Sequence, residues 1–446
     1  MANPPGRSVP TEPSIARESD TEAPRWLSWS IWGIAALFYL TGFYQRVSPA
    51  VMTTELMRDF HIGARDLGNL SAFYFYLYLA MQIPVGVLID ALGARRLLIA
   101  GTLAAAAGTF LVAATGSFAI ACFGRAVVGA ATAVGWLVLL RLSTHWFPSR
   151  RFAMLTGLGL CFGNLGALGA QVPLRLAIES YGWRAVVAVS AAALLAVGVL
   201  AWALVRNDPS DRGFRSWAPP EARARKTGQL GALGAGIRRI LGYRNTWLIF
   251  FAQGGFVGPM LAFTGLWGAP FLRARFALPP SSAAAVCSVM IVCWALASPV
   301  FGHLSDRTGR RKPLYLSGAA IAAAGWIALF YVRQIPLPAF VAVAAVTSLA
   351  SGAVILGFAF GKESVPARVS GTITGVINSG NMIGPTLLQP GIGWLLDKEW
   401  TGTLANGLRV YGIEAFRTAF LLSAGWSVAA CLLIAFTRET ACRQSE

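Results

Sequence analysis

The sequence predicts an all-α membrane protein whose twelve transmembrane helices form two related halves of six. Hydrophobic residues make up 56% of the chain and charged residues only 13%, whereas about a quarter of a soluble domain is charged. Between the short charged stretches lie apolar runs of about 20 residues, long enough to cross a bilayer as helices. A short pattern of glycine, aspartate and arginine also occurs twice, 216 residues apart.

Twelve spans account for the apolar runs. The predicted bounds are 28–50, 68–89, 97–116, 118–142, 152–175, 184–205, 245–271, 282–304, 313–333, 338–360, 369–396 and 415–437. The first six make up an amino-terminal half, 28–205, and the last six make up a carboxyl-terminal half, 245–437.

Three polar segments lie outside the two halves. We expect 1–27 to be a disordered cytoplasmic segment because it is rich in Pro, Ser and Glu. We expect 206–244 to be a cytoplasmic linker and 438–446 to be a cytoplasmic tail. An arginine-rich piece of the linker, 221–226, fits an interfacial helix and a solvated connection equally well.

The net charge of +18 is concentrated in alternate loops. This is the positive-inside pattern of multi-pass proteins, so the basic loops and both termini are predicted to be cytoplasmic. No basic face with interleaved aromatic residues stands outside the spans, so we expect the lipid bilayer and no nucleic acid as a partner.

The duplicated pattern lies in a loop after the second span of each half. Its first glycine is expected to permit close helix approach, and its second to supply a turn that other residues rarely adopt. The aspartate ends a helix and can reach cations, and Arg141 is expected to brace the first copy. The candidate switch residues are Gly86, Asp90, Gly93, Arg95, Arg96 and Arg141, with Gly302, Asp306, Arg307, Gly309, Arg310 and Arg311.

A second repeat supports the first. Four residues of the fifth span recur 218 residues later in the eleventh: Pro148, Gly157, Gly166 and Gln171 correspond to Pro366, Gly375, Gly384 and Gln389. Parallel repeats of this kind place a solute site between the halves, near the middle of the membrane.

These residues resemble the major facilitator superfamily over nearly the whole chain. Gly124-Arg125 and the Trp146-Phe147-Pro148 turn also fit, whereas Ala91 stands where the superfamily commonly has a basic residue. The resemblance implies transport by alternating access.

A narrower resemblance rests on three short segments. They are Arg46-Val-Ser-Pro49, Met81-Gln82-Ile-Pro84 and Gln389-Pro390-Gly391-Ile-Gly393. They resemble a proteobacterial branch that includes intraphagosomal amino-acid transporters and is distantly similar to lysosomal dipeptide transporters. This resemblance implies uptake of amino acids or small peptides across the bacterial inner membrane.

Two arginines are the leading candidates for substrate binding. Arg46 lies inside the first span, where a guanidinium is costly unless it faces water or a partner, and its fork suits a carboxylate. The alternative is a shifted helix that lets Arg46 reach the outer interface. Arg125 matches the position of an arginine that the superfamily links to substrate or proton handling; a structural link to backbone carbonyls is the alternative.

Other polar residues in the spans are candidates for lining the same cavity. For tyrosines the alternative is aromatic packing, and for amides it is hydrogen bonding between helices. These candidates are Tyr44, Gln45, Tyr74, Tyr78, Gln82, Asn164, Gln171, Asn378, Asn381 and Gln389.

No Asp, Glu or His lies in the middle of any span, and the nearest carboxylates are those of Glu55 and Glu363. Protons therefore stay open as a coupling ion, beside exchange and facilitated passage. The six cysteines lack metal-site spacing and no catalytic constellation appears. We expect no enzyme activity, cofactor or metal.

The sequence therefore predicts a transporter of a small molecule that bears a carboxylate, with amino acids or small peptides first. Organic anions, siderophores or drugs on the same fold are the alternative. A non-transporting membrane sensor is the alternative from another class.

Overall fold

The computed structural model describes residues 21–218, 238–366, 369–405 and 407–443. Residues 1–20 of the segment expected to be disordered, 1–27, lie outside these ranges, as does the arginine-rich piece 221–226. The last three residues of that segment, 25–27, are instead helical, because the first helix begins at Arg25. In the amino-terminal half the helices are α1 (Arg25–Val47), α2 (Thr53–Phe60), α3 (Ala64–Ala114), α4 (Phe118–Thr132), α5 (Gly135–Trp146), α6 (Phe152–Gly169), α7 (Val172–Tyr181) and α8 (Trp183–Leu204).

The carboxyl-terminal half repeats this layout. Its helices are α9 (Arg244–Ala262), α10 (Gly268–Phe276), α11 (Pro280–Thr308), α12 (Lys312–Tyr331), α13 (Leu337–Ser351), α14 (Ile355–Glu363), α15 (Ser370–Lys398) and α16 (Ile413–Ala435). Short 3-10 turns cover Ser48–Val51, Ser149–Arg151, Pro209–Arg212 and Gly352–Val354, a π-turn covers Phe263–Trp267, and the strands Leu404–Ala405 and Leu408–Arg409 form a hairpin.

These helices give the twelve spans. Ten helical stretches in the described part of the chain are long and apolar enough to cross a membrane. The other two spans are the more polar ones: the first part of α3, residues 64–92, and α15. Four spans consist of two helices joined by a turn or break, as at α4 and α5.

The second and third spans differ from the expected two separate helices. They are joined in the 51-residue helix α3, which bends at Gly93, where φ is 80°. A left-handed backbone of this kind is accessible to glycine at little cost. The second copy of the pattern uses the same property, because Gly309 has φ 64° and ends α11.

The 218-residue repeat is a repeat of helix contacts. A Cβ added at Gly166 would lie 2.0 Å from the carbonyl oxygen of Leu40, between α6 and α1. A Cβ added at Gly384 would lie 2.5 Å from the carbonyl oxygen of Gly254 and 2.6 Å from the Cα of Gly258, between α15 and α9. Glycine at these positions therefore lets the matching helices of each half touch backbone to backbone.

The two halves are in contact on the side away from the basic loops. There Arg273 donates to Thr54 Oγ1 at 3.0 Å, and Gln171 donates to the carbonyl of Thr264 at 2.9 Å. A Cβ at Gly393 would lie 2.3 Å from the carbonyl oxygen of Ala64. The helix ends are therefore tightly packed across the interface on this side.

The side of the basic loops is open at the repeated glycines. A Cβ added at Gly86 or Gly302 would meet nothing within 4 Å, and the same holds for Gly157 and Gly375. The close approach expected at Gly86 and Gly302 is therefore absent from this conformation. In this conformation the space beside each of these glycines is open.

Candidate functional site

The two loop patterns hold their aspartates in different ways. Asp90 lies 3.5 Å from Arg141, as expected, and both side chains are 29% exposed. Asp306 lies 2.7 Å from Arg311 Nη1 and is 69% exposed. The same Arg311 contacts Glu363 at 2.8 Å. Both aspartates therefore pair with an arginine of their own half.

The backbone around the patterns is capped by side chains. Asn207 Oδ1 accepts the backbone N–H of Arg95 at 2.8 Å, and Glu439 Oε1 accepts that of Arg311 at 3.1 Å. Burial disfavours the charge of Arg311, but hydrogen bonds to Glu363 and Asp306 outweigh it and raise its pKa. Arg96, Arg307 and Arg310 are exposed.

Arg46 lies in an aromatic box formed by α1 and α3. It is 6% exposed, and its Cζ lies 4.6 Å from the ring centroid of Phe43, 4.8 Å from that of Tyr78 and 5.8 Å from that of Tyr74. Its Nε has no hydrogen-bond partner, and no carboxylate of the described residues forms an ion pair with it. The position is buried rather than extended to an interface, so cation–π contacts stabilise a charge that has no counter-ion.

Tyr74 contacts both buried arginines. Its ring centroid lies 5.2 Å from Arg125 Cζ and 5.8 Å from Arg46 Cζ. Its hydroxyl donates to the carbonyl of Gly42 and accepts from Thr132 at 2.9 Å. Both hydrogen bonds fix the ring, and therefore the spacing of the two guanidinium groups.

Arg125 faces a different space from Arg46. Its Nη1 donates to the carbonyl of Gln45 at 2.8 Å, while Nε and Nη2 are buried without partners. It lines a small cavity of about 30 Å³ inside the amino-terminal half. Tyr44 and Gln45 line this cavity too and are bonded to Ser190 and Thr109.

The expectation that Tyr44 and Gln45 join Arg46 in one site therefore needs correction. Consecutive residues on a helix point about 100° apart, so α1 turns these two away from the aromatic box. Arg125 does make the backbone contact that was the alternative to a binding role. That contact occupies only one of the three guanidinium nitrogens.

A polar contact joins the halves beside the aromatic box. Asn378 Nδ2 of α15 donates to Gln82 Oε1 of α3 at 2.5 Å. Gln82 Nε2 in turn donates to the carbonyl of Tyr78 at 3.3 Å. Tyr74 and Tyr78 stack with their ring centroids 5.8 Å apart. The spacing of four residues on α3 thus brings Tyr74, Tyr78 and Gln82 to one face, as expected.

The remaining amides lie apart from this box. Gln171 and Gln389 are fully buried and donate to the carbonyls of Thr264 and Leu261, so both bind the segment where α9 ends. Asn164 donates to its own helix at Leu160. Asn381 is 7% exposed and its Oδ1 is buried without a partner. Hydrogen bonding between helices accounts for Gln171 and Gln389.

Sequence reasoning missed Phe43, which contacts Arg46 directly, and Thr132, which holds Tyr74. The signal for Phe43 was available, because Tyr39, Phe43 and Arg46 are spaced by four and three residues and share one face of α1. Thr132 gave no such signal, since its role depends on how α4 packs against α3.

The carboxylates nearest to the spans are held in ion pairs. Glu55 lies 2.7 Å from Arg175, and Glu363 lies 2.8 Å from Arg311. The described residues contain no group of His, Cys, Asp and Glu that could hold a metal.

Two helical halves with a repeated loop pattern and a buried polar site beside their interface define a membrane transporter. The family model described as Major Facilitator Superfamily matches residues 31–271 and 260–444. The chain belongs to this superfamily, and it is a multi-pass membrane protein.

Comparisons with individual proteins support the same class. A protein of Agrobacterium vitis named "Putative tartrate transporter" is 24% identical over 421 residues, which is 88% of this chain and 89% of that protein. The hexuronate transporter of Escherichia coli K12 is 27% identical over 189 residues, 42% of this chain and 43% of that one.

A solved structure shares the fold. It is a bacterial homologue of the human lysosomal transporter Spinster in an inward-facing, unoccupied conformation. The TM-score is 0.74 at 17% identity, covering 92% of this chain and 97% of that one. The narrower resemblance to amino-acid transporters stays a prediction.

Proposed function

We propose that this transporter carries a small organic anion and that Arg46 binds its carboxylate. The observation that carries the proposal is a buried guanidinium with a free Nε and no carboxylate partner among the described residues. Such a charge is tolerable when the cavity is wet, and a bound anion would replace the water. A planar guanidinium can hold a carboxylate with two parallel hydrogen bonds, which makes it selective for this group.

The contacts around the site favour an organic acid over the amino acids and peptides that the sequence suggests. An amino acid brings an ammonium group, whose charge needs an anionic or strongly polar acceptor nearby. Arg46 contacts the rings of Phe43, Tyr74 and Tyr78, none of which is anionic at neutral pH. A hydroxy acid could instead hydrogen-bond to the hydroxyl of Tyr78.

The relatives named for tartrate and hexuronate agree with this preference, because both names refer to hydroxylated carboxylates. Amino acids and small peptides remain the second candidate, on the strength of the narrower sequence resemblance. A siderophore or drug substrate has no supporting contact in the described site.

Transport would proceed by rocking of the half 28–205 against the half 245–437. The protein would lie in a bacterial inner membrane, with the linker 206–244 and both termini in the cytoplasm. The closed contact at Gly393 and the open space at Gly86 and Gly302 describe one end state of such a cycle. Proton coupling remains a prediction. Glu55 and Glu363 would first have to leave their ion pairs to carry a proton.

Uptake into proteoliposomes tests the proposal. The purified protein is reconstituted and offered labelled tartrate, galacturonate, alanine and dialanine, with and without a pH gradient. We expect uptake of a hydroxy acid, and loss of that uptake in Arg46→Ala. Arg333→Gln removes an exposed arginine that belongs to neither the candidate site nor the switch residues, and it serves as the matched control. Uptake of the amino acid alone would overturn the choice of substrate class, and no uptake of any solute would favour a sensor.

A further inference from the structure

Three arginines meet at the carboxyl end of α8, on the side of the basic loops. Arg95 Nη2 donates to the carbonyl of Trp202 at 3.0 Å, Arg206 Nη1 to that of Val205 at 2.9 Å, and Arg212 Nη2 to that of Leu204 at 2.8 Å. We call these three residues the arginine corner. A helix end supplies only about half a negative charge, so most of the positive charge there is not compensated by α8.

The corresponding corner of the carboxyl-terminal half is built in the same way but is neutralised. Lys312 Nζ donates to the carbonyls of Ala435 and Thr437 at the end of α16, at 2.7 and 2.9 Å. Glu439 accepts the backbone N–H of Lys312 at 2.8 Å. Arg311 beside it contacts both Asp306 and Glu363. Three carboxylates thus surround the basic residues of that corner.

In the amino-terminal half an uncharged residue takes the place of a carboxylate. Asn207 accepts the backbone N–H of Arg95, as Glu439 does for Lys312. Among the described residues no carboxylate lies within ion-pair distance of Arg95, Arg206 or Arg212. Asp90 is directed to Arg141, at 3.5 Å.

The two aspartates next to the corner are also engaged elsewhere. Asp208 binds His145 and Ser216, each at 2.7 Å. Asp211 accepts the backbone N–H of Asp208. Burial, together with the charges of Arg206 and Arg95, lowers the pKa of Arg212, as expected for crowded cations. The corner therefore carries a positive charge that its own half leaves unbalanced.

The corner adjoins an exposed apolar surface of α8. Trp202 is 65% exposed and Val199 is 55% exposed on α8, directly before the arginine-bonded carbonyls. A tryptophan at the end of a spanning helix lies at the level of the lipid headgroups. An apolar face that leads to three guanidinium groups at this depth matches a phospholipid, whose chains and phosphate are arranged in the same order.

We infer that the arginine corner binds the phosphate headgroup of an anionic phospholipid in the leaflet on the side of the basic loops. Guanidinium groups bind phosphate oxygens through paired hydrogen bonds, and clusters of basic residues between spanning helices can hold anionic headgroups. The lipid would supply the anion that Glu439, Glu363 and Asp306 supply in the other half. The inference goes beyond the proposed substrate and does not depend on it.

Native mass spectrometry of the full-length protein tests this. The protein is released from nanodiscs of phosphatidylcholine alone or mixed with phosphatidylglycerol, and retained lipid and the unfolding temperature are measured. We expect retained phosphatidylglycerol and a higher unfolding temperature in the mixture. Since each basic residue contributes about fivefold to binding of an anionic surface, Arg206→Gln combined with Arg212→Gln should reduce retention about 25-fold.

Two controls keep the test decisive. Arg310→Gln removes an exposed arginine from the neutralised half and should retain as much phosphatidylglycerol as the unchanged protein. Arg206→Lys with Arg212→Lys keeps the charge and should retain most of it, even if the glutamine pair fails to fold. Equal retention of both lipids by the unchanged protein would overturn the inference. So would full stabilisation by inorganic phosphate without any by phosphatidylglycerol, which would indicate a soluble anion.

Discussion

The carboxylate of Asp397 accepts the backbone N–H of Arg65 at 2.9 Å, across the boundary between the two halves. Asp397 lies in the last turn of α15 in the carboxyl-terminal half, and Arg65 lies in the first turn of α3 in the amino-terminal half. The same carboxylate accepts from Ala64 N–H at 3.2 Å and from Tyr411 Oη at 2.5 Å, and it contacts Arg409 at 3.1 Å. One half therefore caps a long helix of the other.

This cap should stabilise the conformation in which the halves touch on this side, because a carboxylate at a helix start satisfies free N–H groups and the helix dipole. Asp397→Asn removes the charge and should open this side. Hydrogen exchange at the start of α3 is the measurement, and we expect it to accelerate about tenfold, since hydrogen bonds to a charged group contribute about 1.5–3 kcal/mol.

Glu399→Gln is the matched control, since it removes an exposed carboxylate two residues away. The rate of hydrogen exchange at the start of α3 in Glu399→Gln should equal that of the unchanged protein. Equal exchange in Asp397→Asn as well would show that the cap does not hold the halves together.

A second prediction concerns the repeated glycine contacts within each half. Gly166→Ala would place a methyl group 2.0 Å from the carbonyl of Leu40, so α6 and α1 would have to separate. Overpacking of this kind typically costs about 1–3 kcal/mol, and the unfolding temperature should fall. Gly169→Ala, three residues along the same helix, meets nothing within 4 Å and should leave it unchanged. Equal unfolding temperatures in the two variants would refute the contact.

These contacts also show what the sequence could predict. The 218-residue offset joins Gly166 to Gly384, and the structure gives both the same task in corresponding helix pairs. Hydropathy and this repeat were enough to predict twelve spans in two halves, because both depend on period and spacing along the chain.

The candidate site was less predictable, since it depends on helix rotation. Tyr44 and Gln45 were grouped with Arg46 for being adjacent, but the turn of α1 directs them into a separate cavity with Arg125. Gln82 and Asn378 were both candidates, yet their contact follows from the packing of α3 on α15. The close approach expected at Gly86 depends on the conformational state, which no sequence pattern fixes.

A third prediction is topological. Both termini and the 206–244 linker should face the cytoplasm because the arginines are concentrated in alternate loops. Reporter fusions at residue 225 and at the carboxyl terminus should both give a cytoplasmic signal. A periplasmic signal from either would invalidate the twelve-span arrangement.

The fourth prediction separates conformational change from binding. Asp306 lies in the last turn of α11 and pairs with Arg311, far along the chain from Arg46. If its contacts differ between the two end states, Asp306→Asn should alter their balance without touching the site. We expect slower transport with substrate affinity within a few-fold of the unchanged protein, measured by uptake and by equilibrium binding. Loss of binding in a folded Asp306→Asn protein would instead place Asp306 in the site.

The last prediction concerns the substrate carboxylate at Arg46. Losing a hydrogen bond to a charged group should cost about 1.5–3 kcal/mol, or about ten- to a hundredfold in affinity. Arg46→Ala should show this loss, and Arg46→Lys should recover little of it, because an ammonium cannot form the paired contact. Calorimetric titration of the unchanged protein and of Arg46→Ala, each with the acid and with its amide, gives the four affinities of a double-mutant cycle. The amide should bind the unchanged protein poorly but bind Arg46→Ala about as well as the acid does. If the effects of mutation and amidation were fully additive, Arg46 and the carboxylate would not be in contact.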